Sequence, residues 1–198
     1  GDVIIDKDLE RGKPTVTMVD SGVHIMMEEY ADMITKQVEN AERNKVIIQC
    51  IYNELKAHRR ILVLTKRVAH YQLIASVLRQ RDGLGNQSIR IHEISSETNS
   101  KDRSRLLDTL RSGAQDFDVI LGTYSMLSTG TDIPALDTLI FAGDLRSDVL
   151  QEQSAGRILR LFGDKAEPKI IDITDISNKI LANQARERQR FYRLMKWL

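Results

Sequence analysis

Eight consecutive residues in the last third of the chain, Gln153-Ser154-Ala155-Gly156-Arg157-Ile158-Leu159-Arg160, combine types and spacing that suit a polyanion. Gln153 and Arg157 stand four apart, and Arg157 and Arg160 three apart, so on a helix all three share one face. Two guanidinium forks aimed at one spot match phosphate oxygens, and a nucleotide triphosphate is a ligand of that kind. Gly156 inside such a helix costs about 1 kcal/mol against Ala. That cost makes sense if something approaches the backbone closely. The competing reading is a solvated basic face whose arginines pair with Asp148 or Glu152.

A second set of polar residues follows the short apolar runs. Thr65-Lys66-Arg67 ends the first, Ser95-Ser96 the second, Thr123 the third, and Gly143-Asp144 the fourth. In open parallel sheets ligands sit at the carboxyl ends of the strands. Hydroxyls and cations at such an edge can hold phosphate oxygens. Ser and Thr also favour loops for their own local bonds, so the signal lies in three successive runs ending alike.

These residues need a scaffold that brings them to one edge, and the hydrophobic pattern supplies it. Strands are expected at residues 60–65 (RILVLT), 89–94, 117–123 (FDVILGT), 138–142 (TLIFA) and 169–173 (KIIDI). Helical spacing occupies 68–81, a helix capped by Asn99 or Ser100 runs to Arg111 and ends at Gly113, and another begins after Ser147 and reaches about Leu161. Residues 178–196 close the chain as a helix. Alternation of this kind predicts βαβ units and an α/β fold with a parallel sheet. Residues 1–40 read as a linker and lead-in helix packed on this unit, with a strand conceivable at 15–19, and residues 41–198 as the α/β domain. Residues 28–58 are mostly helical, broken at 40–44.

Composition narrows the function classes. The 198 residues carry 29 Lys and Arg against 28 Asp and Glu, a net charge of +1, which rules out a uniformly basic binder but not a local basic stripe. Cys50 is the only cysteine, so no internal disulfide and no cysteine-based zinc site can form. No His pair has metal-ligand spacing, so structural roles are expected for His24, His58, His70 and His92, and a small core role for Cys50. No metal site is expected. No apolar run approaches the ~20 residues needed to span a bilayer. Without a signal-peptide pattern or an initiator Met, the chain reads as an intracellular piece (cytoplasmic or nuclear) of something longer. Met26-Met27 is expected to pack in the lead-in. The tail, residues 183–198, has five cations against Glu187, a net of +4, interleaved with Phe191, Tyr192 and Trp197. It is read as a helix that packs Phe191, Tyr192 and Leu194 on the sheet and leaves its arginines in solvent. A nucleic-acid or protein contact is the other reading.

Taken together, these segments resemble the second, C-terminal RecA-like domain of superfamily 2 helicases. Gln153-x-x-Gly156-Arg157-x-x-Arg160 resembles motif VI, Thr123 through Pro134 (TYSMLSTGTDIP) motif V, and Leu62 to Arg67 (LVLTKR) motif IV, in the right order. Arg43-Asn44, Leu64 to His70, Asp132 to Ile140 and Pro168 to Asp175 are similar to the XPB-like branch and to helicases of phages and large DNA viruses, including the poxviral transcript-release type. The resemblance covers about residues 40–195.

What the resemblance implies is a RecA-like three-layer fold: a mostly parallel central sheet with helices on both faces. It implies Arg160 as an arginine finger, Arg157 on the same phosphates, Gln153 coupling them to the partner lobe, and Gly130 and Asp132 near the ribose and the finger region of ATP. Thr65, Lys66, Arg67, Ser95, Ser96 and Thr123 would hold the sugar-phosphate backbone of one strand. Thr129 before the motif V glycine and Gln153 opening motif VI depart from the DEAD-box pattern of RNA helicases. DNA is the expected polymer, single-stranded or duplex, although these residues do not by themselves distinguish it from RNA. A viral source would add the virus factory or virion as locations.

No Gly-x-x-x-x-Gly-Lys-[Ser/Thr] stretch and no Asp-Glu box occurs in the chain. The cradle for ATP and Mg²⁺ would therefore lie in an N-terminal RecA-like lobe of the same protein. The 198 residues alone are expected not to hydrolyse ATP. A nicotinamide-type dehydrogenase is disfavoured, because no Gly-x-Gly-x-x-Gly follows a strand. A non-catalytic binding module and a translocase that does not separate strands remain as alternatives to a helicase.

Overall fold

Continuous apolar runs such as Ile61–Thr65 (ILVLT) and Thr138–Phe141 (TLIF) are buried at every position, the signature of parallel strands covered on both faces. The computed structural model describes residues 13–80, 88–95, 97–127, 133–153 and 167–198. In chain order these give β1 (Thr15–Asp20), α1 (Tyr30–Glu39), α2 (Ala41–Lys56), β2 (Ile61–Thr65), α3 (Val68–Gln80) and β3 (Ile91–Ile94). There follow α4 (Ser100–Arg111), β4 (Val119–Thr123), a 3₁₀ turn (Tyr124–Leu127), β5 (Thr138–Phe141), α5 (Ser147–Gln153), β6 (Lys169–Thr174) and α6 (Lys179–Leu194).

The six strands form one sheet in the order β1-β6-β5-β2-β4-β3, and every pairing is parallel. Successive strand side chains face opposite sides, and the core divides accordingly. Leu62, Leu64, Ile120, Leu139 and Phe141 pack on one face with Leu110, Leu150, Phe191 and Tyr192 of α4, α5 and α6. Ile61, Val63, Val119, Leu121 and Ile140 pack on the other with Ile47, Ile51, Tyr71 and Ile74 of α2 and α3. The parallel sheet is what the strand–helix alternation predicts, and helices on both of its faces give the three-layer RecA-like architecture that the helicase resemblance implies.

Helix ends follow local chemistry. Asn40 caps α2 by accepting from Arg43 N at 2.9 Å, which is why the helical stretch breaks there. Asn99, not Ser100, caps α4, and Gly113 at φ +75° ends it. Thr15–Asp20 contributes a full edge strand on β6, so part of the expected lead-in belongs to the sheet. Met26 and Met27 are 62% and 50% exposed, against the expected packing, because they sit in the irregular segment between β1 and α1.

The closing helix also differs from its expected packing. Phe191 and Tyr192 are buried, but Leu194 is 79% exposed and Trp197 takes its place, its ring 5.5 Å from Phe191 and 6.2 Å from Tyr192. Arg188 is buried instead of solvated. Cys50 is half-buried beside the α2–α3 face. No helix among the described residues is long and apolar enough to cross a membrane.

Candidate strand-binding edge

β2 lies between β4 and β5, so the loops leaving these three carboxyl ends converge. They line a cleft of about 390 Å³ formed by Lys66 and Val68, Thr123 to Ser125, and Asp144, Leu145, Arg146 and Val149. The β2 and β5 loops meet closely at Gly143, where a Cβ would stand 3.3 Å from Lys66 N.

The hydroxyl expected at the end of β2 is not offered to a ligand. Thr65 is fully buried and its Oγ1 donates to Arg67 O at 2.8 Å. This bond tightens the turn that sends Lys66 outward. Lys66 is exposed, and its Nζ donates to the Tyr30 hydroxyl at 2.6 Å. Its pKa is lowered, first by desolvation and then by the neighbouring charges of Arg146 and Arg67, against the pull of Asp144. Arg67 turns aside onto α1, where Nη2 donates to Ala31 O at 2.8 Å and Nη1 to Thr35 Oγ1. Thr123 is half-exposed and shares a 2.8 Å hydrogen bond with Ser125 Oγ.

Ser95 lies at the end of β3 rather than in the cleft. Its hydroxyl accepts from Glu97 N at 3.0 Å, so it closes a turn. The structure thus brings Lys66 and Thr123 together, and leaves Thr65, Arg67 and Ser95 with local partners. Ser96, Gly130, Asp132, Arg157 and Arg160 lie outside the described residues. Gln153 ends α5 in the described backbone, but its side chain lies outside them as well.

Three participants were missed by spacing. Arg146 has a 65% exposed side chain paired with Asp148 at 2.9 Å, and it adds a second cation to the cleft. Tyr124 donates its hydroxyl to Gly143 O at 2.5 Å and accepts from Gly143 N at 3.2 Å, clamping the β4 and β5 loops. Burial pushes its pKa up, keeping it a neutral phenol. Tyr30 bridges Lys66 to buried Asp144, to which its hydroxyl donates at 2.6 Å. Only Arg146 had a readable signal, as a cation following Gly143-Asp144.

Behind the edge, a buried ion cluster ties the layers together. Arg43, with no exposed surface, donates to Asp175 through Nε at 2.9 Å and Nη2 at 3.1 Å, and through Nη1 to Ala142 O at 2.6 Å. Ser21 and Gln37 also donate to Asp175, joining β1, α1, α2 and β6. His70 shares a 2.8 Å hydrogen bond with Asn44 Oδ1, and burial lowers its pKa to about 3, so it is neutral and structural. Among the described residues no three His, Cys, Asp or Glu come together as a metal site.

The sequence matches the family described as helicase conserved C-terminal domain over residues 42–162. Protein 161L of Invertebrate iridescent virus 6 is 30% identical over 165 residues, covering 81% of this chain and 35% of its own length. The ATP-dependent DNA helicase uvsW of Enterobacteria phage T4 is 24% identical over 68% of this chain and 25% of its own. Transcript termination protein A18 of Fowlpox virus is 30% identical over 63% of this chain and 26% of its own. The chain therefore spans about a third or less of the length of these relatives. Its fold matches the crystal structure of T4 UvsW with TM-score 0.69 over 93% of this chain and 40% of that one, at 18% identity. It matches S. cerevisiae Dbp5 bound to RNA and ADP BeF3 with TM-score 0.59 over 92% and 40%, at 14% identity. The six-stranded parallel sheet and the match over more than half of the sequence place the chain in the helicase C-terminal domain family.

Proposed function

We propose that this chain is the second motor lobe of an ATP-dependent superfamily 2 helicase or translocase acting on DNA. The observation that carries the reading is the cleft at the ends of β2, β4 and β5. There Lys66 and Arg146 stand beside the hydroxyls of Thr123 and Ser125. Cations and hydroxyls of this kind can hold a sugar-phosphate backbone irrespective of sequence. On this reading Arg157 and Arg160 reach the phosphates of an ATP seated between two lobes, Gln153 couples them to the partner lobe, and Gly130 and Asp132 meet the ribose and finger region. ATP and Mg²⁺ are held mainly by the N-terminal lobe, which supplies the phosphate cradle this sequence lacks. ATP draws the lobes together and its hydrolysis releases them. The strand grip on each lobe then alternates, provided ATP binds the closed state more tightly than the open one.

The test is nucleic-acid-stimulated ATP hydrolysis by the two-lobed protein, with and without a single-stranded DNA oligonucleotide. Stimulation by the strand is expected, together with no turnover by the 198-residue chain alone. An ATPase indifferent to nucleic acid, or steady turnover by this chain by itself, contradicts the proposal.

A further inference from the structure

Both cations that follow β2 are held by one helix, α1, which the sequence placed in a lead-in packed on the α/β unit. Lys66 Nζ lies 4.5 Å from the Tyr30 ring centroid while donating to its hydroxyl at 2.6 Å. Arg67 reaches Ala31 O and Thr35 Oγ1 on the same helix. Tyr30, Ala31 and Thr35 lie within the first two turns of α1, so one end of this helix makes all of these contacts.

Tyr30 is itself fixed from behind. Its proton goes to Asp144 Oδ2 at 2.6 Å, and Asp144 Oδ1 accepts from Arg188 at 3.2 Å. Arg188 in turn is bound by both oxygens of Asp172, at 2.8 and 2.9 Å. A phenol has one proton and an accepting oxygen. With the proton committed to Asp144, the oxygen faces Lys66 as an acceptor. Hydrogen bonds thus run from β6 and α6 to the tip of Lys66. The ammonium gives one N–H to Tyr30 and keeps two for the cleft.

A lysine that grips a phosphate loses rotamer freedom on binding, and a lysine already held loses less. We propose that Tyr30 is a positioning residue of the strand-binding edge: it holds the Lys66 ammonium at the mouth of the cleft in the orientation that meets a backbone phosphate. The inference rests on the strand-binding role proposed for Lys66 and adds α1 to the site.

Fluorescence anisotropy with labelled dT20 tests it on four chains: wild type, Tyr30→Phe, Lys66→Ala and the double variant. Tyr30→Phe keeps the ring under the ammonium and removes only the hydroxyl bonds. Lys66→Ala should weaken binding about tenfold, as for loss of a hydrogen bond to a charged group, and lower the salt slope by about 0.7. Tyr30→Phe should weaken it about threefold, through lost preorganisation, with the slope unchanged. In the Lys66→Ala background Tyr30→Phe should have no effect, because the two residues act as one unit. A similar loss in both backgrounds would assign Tyr30 a structural role and overturn the inference, as would wild-type affinity in Tyr30→Phe beside a weakened Lys66→Ala. Wild-type affinity in Lys66→Ala would instead remove the strand-binding reading beneath it.

Discussion

Replacing Arg160 by alanine in the two-lobed protein should lower strand-stimulated ATP hydrolysis by about 10³-fold or more, the range over which arginine fingers act. The reason is electrostatic. As the terminal phosphoryl group transfers, negative charge spreads over its oxygens, and a guanidinium supplied from the opposite lobe meets that charge only in the closed state. Arg160 is a candidate on residue type and spacing, three positions after Arg157, within the residues that match the helicase family. A finger of the proposed kind acts on ATP and not on the strand, so binding of an oligonucleotide by Arg160→Ala should remain at wild-type strength. Arg160→Lys should recover little, since an ammonium lacks the planar fork. A rate within about tenfold of wild type in Arg160→Ala, measured against the finger range above, would assign the finger elsewhere.

The second large effect is on stability. Arg188→Ala should cost about 3–5 kcal/mol, the range for removing one partner of a buried ion pair. Arg188 is 1% exposed between Asp172 and Asp144, themselves 0% and 3% exposed. It donates through Nε and Nη2 to Asp172, and through Nη1 to Asp144 Oδ1 and to Leu145 O. Tyr192 adds a hydroxyl bond to Asp172 at 2.5 Å. Burial opposes the guanidinium charge, but the two carboxylates more than offset it and hold its pKa above the ordinary value. Without Arg188 both acids stay buried and lose that partner. Arg190, two residues on, has an 80% exposed side chain and a loose 3.7 Å contact with Glu187. Arg190→Ala should shift stability by less than about 1 kcal/mol. Urea unfolding of the two variants beside wild type measures the contrast. Equal, small shifts would mean that the Arg188 cluster contributes no net stability.

The Arg188–Arg190 contrast shows where sequence reading reached its limit. Strands β2 and β5 were legible because an unbroken apolar run between turn signals leaves a buried parallel strand as the economical solution. The Asn99 and Gly113 ends of α4 were legible because caps act within a few residues. Arg188 was not. A helix with a net charge of +4 looks solvated, and the acids that draw Arg188 inward lie 16 and 44 positions away. Leu194 and Trp197 exchanged roles because the chain turns at the end of α6, where Lys196 adopts φ 60°, and brings the indole back onto Tyr192.

At the site, Lys66 and Thr123 were found as strand-end residues and do line one cleft. Thr65 was misread, since a hydroxyl at a strand end can equally serve its own turn, and here it bonds Arg67 O. Tyr30 gave no local signal at all. Its partners are 36 and 114 residues distant, and its role exists only once α1 has docked.

The central claim is that nucleic acid lies along the carboxyl ends of the strands. Backbone amide shifts of the isotope-labelled chain, titrated with unlabelled dT12, locate the strand directly. The account predicts perturbations concentrated at Lys66–Val68, Thr123–Ser125 and Gly143–Arg146. At the opposite edge Arg60 and Arg90 are engaged with Asp116 and Asp118, with the Asp116 pKa lowered to about 2 chiefly by its bond with Arg60. That edge should stay silent. Shifts centred on Arg60, Arg90 and Asp116, with the cleft unperturbed, would contradict it.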